Sequence, residues 1–466
     1  MSTAVKEKQD FTSGKVLKKL IYFAIPMAIA TLLQVLFNSA DIAIVGQFAG
    51  YRYQAAVGAT SSVAHLTVNL FMGISIGANV AMANAVGAKD TERQSRVVHT
   101  AIAISVVSGM LILLVGMFVG RPILKAIGTP AEIIDYSVIY LQIYFLGAPA
   151  MMIYNFGAAL MRGIGETKKP LFYLLVTGIL NVVINIVTVV FLDWHVIGVA
   201  LGTTVSLYVA AVWILLDLRK AQGGLKYSVH KTHFHIPELK QILLIGIPTG
   251  LSSCFFSLSN LLVQSAVNAF GDLAIAGSTV TNNMDTICDA FAAALEKSIL
   301  TFVGQNIGAK KPERINRIMG AGLLAIFCCQ VIYGTGMLCF GKYVCMLYNR
   351  DASVIEWAMK RVYITSCLQV VTCLMYTYGG ALRGMGYSIF PMCINLFFTC
   401  VLRVVYVLFI YPYLPADNIQ LVFMIYPITW FLSGVMQMLM YWVCVRQVKG
   451  KFKQEQEQEA LKILAK

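Results

Sequence analysis

Apolar runs of about twenty residues or more, parted by short polar turns, follow one another from residue 20 to residue 445. A run of that length crosses roughly 30 Å of hydrocarbon, where only a helix satisfies its own backbone groups. Twelve such helices are predicted, over 20–46, 57–86, 97–119, 136–161, 171–192, 196–218, 242–269, 273–304, 318–341, 355–380, 391–412 and 419–445. The pattern also repeats. Ile25-Pro26 returns as Ile247-Pro248, Gly87-Ala88-Lys89 as Gly308-Ala309-Lys310, and Arg162-Gly163 with Gly165 as Arg383-Gly384 with Gly386, at offsets of 222, 221 and 221. One near-constant offset means two copies of one unit, a duplication characteristic of secondary transporters. The predicted fold is therefore an all-α integral membrane protein of twelve transmembrane helices in two six-helix, pseudo-symmetric lobes. Pro26 and Pro248 are placed at helix beginnings, where a missing N–H is tolerated.

Composition agrees with lipid as the solvent: 58% of residues are hydrophobic and 12% charged, about half the charge of a soluble domain. A net charge of +14 suggests nucleic acid until its distribution is read. With the N-terminus inside, 27 of the 36 Lys and Arg fall on the cytoplasmic side and five outside, which is the positive-inside bias, not a binding patch. Both termini are predicted cytoplasmic, in the plasma (inner) membrane, with no nucleic-acid partner. The divisions are 1–19 (cytoplasmic segment), 20–218 (first lobe), 219–241 (interlobe linker), 242–445 (second lobe) and 446–466 (cytoplasmic tail). All 11 cysteines lie at or beyond Cys254 and read as small apolar fillers, and His230, His233 and His235 in the linker read as a solvated basic loop, not a metal site. No cofactor is expected beyond a coupling ion.

The chemistry concentrates where charge interrupts the apolar runs. Asp41 lies inside the first span, where a carboxylate costs several kcal/mol unless paired, protonated or facing water. Gln34, Asn38 and Asp41 follow i, i+4, i+7, and Thr177, Asn181, Asn185 and Thr188 make a second polar stripe in the fifth span. Facing one another, the stripes would form a hydrated pocket; amides alone would serve equally as glue between helices. In the eighth span Asp285, Asp289 and Glu296 share one face and cannot all be ionised in a low dielectric. They form either a substrate site for cations or an internal network paired with Lys360, Arg361 or Arg403. Gln34 on the first span, Asn260 and Gln264 on the seventh and Tyr376 on the tenth complete the substrate-binding candidates. Tyr140, Tyr144, Met151, Met152 and Tyr154 offer adaptable walls, and His65 reads as packing rather than a proton relay. The turns at Arg162 and Arg383 are expected to hold inner helix ends, not to touch substrate.

The doubled lobe, with NAVGAKDTER (84–93) and GQNIGAKKPER (304–314), LMRGIGETKKP (160–170) and ALRGMG (381–386), and FNSADIAIVGQ (37–47), resembles the MATE family of multidrug and toxic compound extrusion transporters. The resemblance covers about residues 15–446. It implies two six-helix lobes forming a V around a central cavity, and export of amphipathic organic cations driven by inward proton or sodium flow. The helix-1 acid of the family falls on Asp41. A second acid of many relatives falls on Asn185, the helix-7 Glu of a sodium-coupled branch within Phe255–Ser257, and a further acid on Tyr387, so that branch's sodium chemistry does not transfer intact. Cation coupling is assigned to Asp41, Asn38, Asn181 and Asn185, by a proton on the carboxylate or a sodium ion held there. The protein is read as an antiporter and not an enzyme, since no catalytic constellation stands at a membrane interface. The alternative within the superfamily is a flippase of lipid-linked precursors. Lipids are the remaining partner; the oligomeric state is left open, a monomer being compatible with the duplication.

Overall fold

The structure is a computed structural model that describes residues 10–413 and 418–464, without the side chains of 61–63, 65, 66, 459, 460, 463 and 464. Part of the expected cytoplasmic segment 1–19 and the His65 side chain lie outside the described residues. Every regular element among them is helical. The first half holds α1 (Val16–Ile44), α2 (Tyr51–Gly87), α3 (Thr91–Ala126), α4 (Ala131–Leu146), α5 (Ala148–Gly163), α6 (Lys168–Ile186) and α7 (His195–Lys220). The second holds α8 (Ile236–Asn268), α9 (Asp272–Gly308), α10 (Glu313–Tyr348), α11 (Ala352–Val362), α12 (Thr365–Leu368), α13 (Thr372–Gly384), α14 (Ile389–Asn395), α15 (Leu402–Val405) and α16 (Ile419–Leu464).

Each of the twelve predicted spans falls on helix. Nine helices among the described residues are long and apolar enough to cross a membrane alone, and α4 with α5 makes a tenth, bent by 45°. The bend lies at Gly147, just ahead of Pro149, whose ring has no N–H to continue the ladder. The eighth span, α9, carries Asp285, Asp289, Glu296 and Lys297. The tenth is cut into α11, α12 and α13 by the turn at Tyr363 and the 3-10 segment Gln369–Val371. Both departures from an unbroken apolar rod are where the second copy keeps its charge. Pro26 and Pro248 correct the sequence reading: they lie inside α1 and α8, which begin at Val16 and Ile236.

The duplication is written into the backbone. Lys89 and Lys310, 221 residues apart, are non-glycine residues at positive φ, 56° and 52°. Each closes a helix in the same way: Ala88 N–H donates to Asn84 O at 3.0 Å and Asp90 N–H to Ala85 O at 3.1 Å, while Ala309 N–H donates to Gln305 O and Lys311 N–H to Asn306 O, both at 2.9 Å. These are left-handed caps that satisfy the last carbonyls, so Gly-Ala-Lys is a helix stop. Gly165 and Gly386, at φ 92° and 91°, end α5 and α13 alike.

The chain packs as two compact units, one taking in Pro26–Gly250 and the other Phe11–Ile25 with Leu251–Lys466. The dividing points lie inside α1 and α8. In the first unit the linker lies against its own helices: Tyr227 N–H donates to Leu218 O at 2.9 Å, Ser228 N–H to His99 Nε2 at 3.1 Å, and His235 N–H to Thr100 Oγ1 at 3.1 Å. In the second unit Phe11 is buried and stacks on Phe302 with centroids 3.9 Å apart. Its N–H donates to Gln305 Oε1 at 3.3 Å, and Asn306 Nδ2 donates to Phe11 O at 3.2 Å.

Candidate functional site

Missing side chains draw α1, α6 and α7 together. A Cβ on Gly178 of α6 would stand 1.9 Å from the Phe37 ring of α1, and Cβ atoms on Gly198 and Gly202 of α7 would meet Thr188 Oγ1 at 2.5 Å and Asn185 Oδ1 at 2.0 Å. The polar stripe of α6 is thereby pressed between the other two helices. Asp41, at 7% exposure, lies within it. Asn185 Nδ2 donates to Asp41 Oδ1 at 2.6 Å and also reaches Asn181 Oδ1 at 3.4 Å. Thr203 Oγ1 of α7 lies 3.4 Å from Asp41 Oδ2 and accepts from Asn181 Nδ2 at 3.2 Å. Asn185 Oδ1 is buried with no hydrogen-bond partner. The pocket is rich in oxygen, holds one carboxylate and forms no ion pair among the described residues. Tyr140 and Tyr144 wall it, packed with Ile44, Val45, Val189 and Val199.

The structure thus brings Asp41, Asn181 and Asn185 together and leaves out two residues of the same predicted stripe. Gln34 and Asn38 are exposed, and no hydrogen bond joins either to Asp41 among the described residues. Thr203 takes the place expected for Asn38. The sequence signal for it was the pair Gly198 and Gly202, i, i+4, immediately before a threonine.

The acids of α9 are each met by their own partners, although Asp285 and Asp289 lie near enough for their charges to act on each other. Asp285 accepts from Tyr333 Oη at 2.8 Å, Ser366 Oγ at 2.7 Å and Thr365 Oγ1 at 3.3 Å. Asp289 accepts from Gln369 Nε2 at 2.8 Å and Tyr376 Oη at 3.2 Å. Glu296 pairs with Arg383, and both side chains are largely buried. Of the bases expected to pair with these acids, Arg361 lies near enough for its charge to act on Asp285 while it donates to Ser278 and to Asn282 Oδ1, whereas Lys360 meets Glu356 at 3.2 Å and Arg403 donates to Asn260 Oδ1 at 2.8 Å. Arg383 thus does more than hold a helix end. Gly380 admits Glu296, since a Cβ there would meet Glu296 O at 2.8 Å. Gln264 Nε2 donates to Asn268 Oδ1 at 3.0 Å, away from the acids. The eleven cysteines are free thiols.

The MatE family matches this chain over residues 26–187 and again over 248–409. The chain is similar to the probable multidrug resistance protein YoeA of Bacillus subtilis (strain 168), 26% identical over 403 residues that cover 84% of this chain and 86% of that protein. It is similar also to the multidrug export protein MepA of Staphylococcus aureus (strain NCTC 8325 / PS 47), 22% identical over 376 residues, 81% of this chain and 83% of that one. Its fold matches a crystal structure of MATE in the bent conformation with a TM-score of 0.89 at 19% identity, covering 97% of this chain and 100% of the other.

Proposed function

This chain belongs to the MatE family and is a multi-pass membrane transporter, not an enzyme, and from that premise we propose that it exports amphipathic organic cations in exchange for an inward-moving proton or sodium ion. The observation that carries the coupling is Asp41: a buried carboxylate, held by Asn185 and Thr203, with a spare acceptor beside it and no basic partner among the described residues. A proton or sodium ion taken up among these oxygens removes the charge that retains a cationic drug. By reciprocity the drug weakens the ion's hold by the same free energy, which is the condition for exchange. Asn181 and Asn185 share the coupling site with Asp41. In Asp289, hydrogen-bonded to Tyr376, the second copy offers a carboxylate for a cationic substrate, with Asp285 one turn away. Both ends of the chain lie on the cytoplasmic side, and the site opens to the two faces of the membrane in turn.

Ethidium efflux from cells expressing the protein tests this, with the sodium and pH gradients varied separately. Efflux should respond to one of the two gradients and fall to background in Asp41→Asn, at unchanged amounts of folded protein. Efflux that continues undiminished in Asp41→Asn would sink the assignment.

A further inference from the structure

The second copy carries the opposite charge at the place that corresponds to the Asp41 pocket. By the 221–222 offset α8 corresponds to α1, α14 with α15 to α6, and the first half of α16 to α7. Arg403, on α15, stands 221 residues after Val182, the neighbour of Asn181, and Asn260 stands 222 after Asn38. The guanidinium is fully buried; Nε donates to Thr429 Oγ1 of α16 at 3.0 Å and Nη1 to Asn260 Oδ1 of α8 at 2.8 Å. Each copy therefore builds a pocket on the same three helices from one charged group, an asparagine and a threonine, and the sign of the charge is reversed.

Among the described residues nothing in the second pocket neutralises that charge. Among the described residues Arg403 forms no ion pair, and Nη2 is buried without a hydrogen-bond partner. The rings of Tyr426 and Phe256 lie 4.6 and 5.6 Å from the guanidinium carbon. Cation–π contact of this kind offsets only part of the cost of burying an uncompensated ion. Arg383 of the same copy has its carboxylate in Glu296. Among the described residues no carboxylate stands against Arg403, which leaves its counter-charge to a bound anion. We propose that this pocket is an anion site that takes a small monovalent anion, chloride or the carboxylate of an organic anion, against Arg403 Nη2. Phe256 and Asn260 are its half-buried edge, the side by which an ion reaches the guanidinium. Coupling cation and anion thus have separate seats in the two copies.

Equilibrium binding of radiolabelled chloride to the purified full-length protein in lipid nanodiscs, with ionic strength held by sodium sulfate, tests the proposal. About one saturable site per chain is expected. Displacement by benzoate identifies a carboxylate seat, and indifference to benzoate a seat for chloride alone. Arg403→Gln should weaken binding at least tenfold and Arg403→Lys should retain it. Because Arg403→Gln risks the fold, Asn260→Asp supplies a second variant: an internal carboxylate beside Nη1 should abolish chloride binding while raising the melting temperature. Absence of saturable chloride and benzoate binding to the native protein, or full binding by Asn260→Asp, overturns the anion site.

Discussion

Asn185 keeps its hold on Asp41 only because residue 202 has no side chain. A methyl group at Gly202 would stand 2.0 Å from Asn185 Oδ1 and 3.1 Å from its Cγ, inside any real contact, so the amide has to swing away and give up the 2.6 Å hydrogen bond to Asp41. A hydrogen bond to a charged group contributes about 1.5–3 kcal/mol, and Gly202→Ala is expected to cut ethidium efflux about tenfold or more. Asn185→Ala should do the same, and the double variant should be no worse than either, since both remove one contact; additive losses would show that Gly202 acts elsewhere. At this scale Asp41 was legible, because an ionisable group in an apolar run needs a reason that hydrogen-bonding glue does not supply; Asn181 and Asn185 were legible only as a stripe that could equally have served as glue. Thr203 was not, because a threonine in a membrane helix ordinarily bonds its own preceding turn, as Thr203 also does to Val199 O at 3.1 Å. Asn38 was misplaced for a related reason. A stripe of i, i+4, i+7 covers a broad arc, and only the neighbouring helices decide which edge of it is buried.

Among the elements, α9 shows how a charged helix is kept inside a membrane protein. Its three acids are met one by one by hydroxyls, amides and a guanidinium from α10 and from the broken tenth span, whose interruption at α12 brings Thr365, Ser366 and Gln369 to the acids. The Glu296–Arg383 pair is buried on both sides, so removing one partner strands the other. Glu296→Gln is expected to cost about 3–5 kcal/mol, whereas replacing both by methionine should recover most of that loss. Melting of the two variants and the native protein in detergent checks it; a double variant as unstable as the single one would mean that Arg383 is held by something other than Glu296. Twelve helical stretches were legible from hydropathy alone. The breaks within them were not, since Pro149 announces a bend whereas Tyr363 and Gln369–Val371 carry no breaker residue. The partner of Glu296 was missed because Arg383, in a turn that reads as a cytoplasmic anchor, had been discounted as a partner for groups inside the membrane.

At the scale of the whole molecule, the repeat told how many copies exist without telling which copy each segment packs on. The contacts interleave them: Phe11–Ile25 belongs with the second unit, while the chain from the linker to Gly250 belongs with the first. Phe11, stacked on Phe302 and bonded to Gln305 and Asn306, and Tyr227 and Ser228, bonded to Leu218 and His99, tie down the two crossing segments. A cut in the linker therefore deprives each fragment of surface that the other supplies. Severed between His230 and Lys231, both exposed, residues 1–230 lack Ile236–Gly250 from their unit, and residues 231–466 lack the Phe11–Phe302 stack. Neither fragment expressed alone should accumulate as a stable, monodisperse protein in detergent. Expressed together they should associate and restore ethidium efflux, because the exposed peptide between them carries no packing of its own. Burying Phe11 alone is worth about 3–5 kcal/mol by the cost of Phe→Ala replacements, a large share of the 5–15 kcal/mol that holds a typical domain. A stable 231–466 fragment on its own would show that the second unit does not need the segment from the chain's beginning, and that the two copies are independent after all.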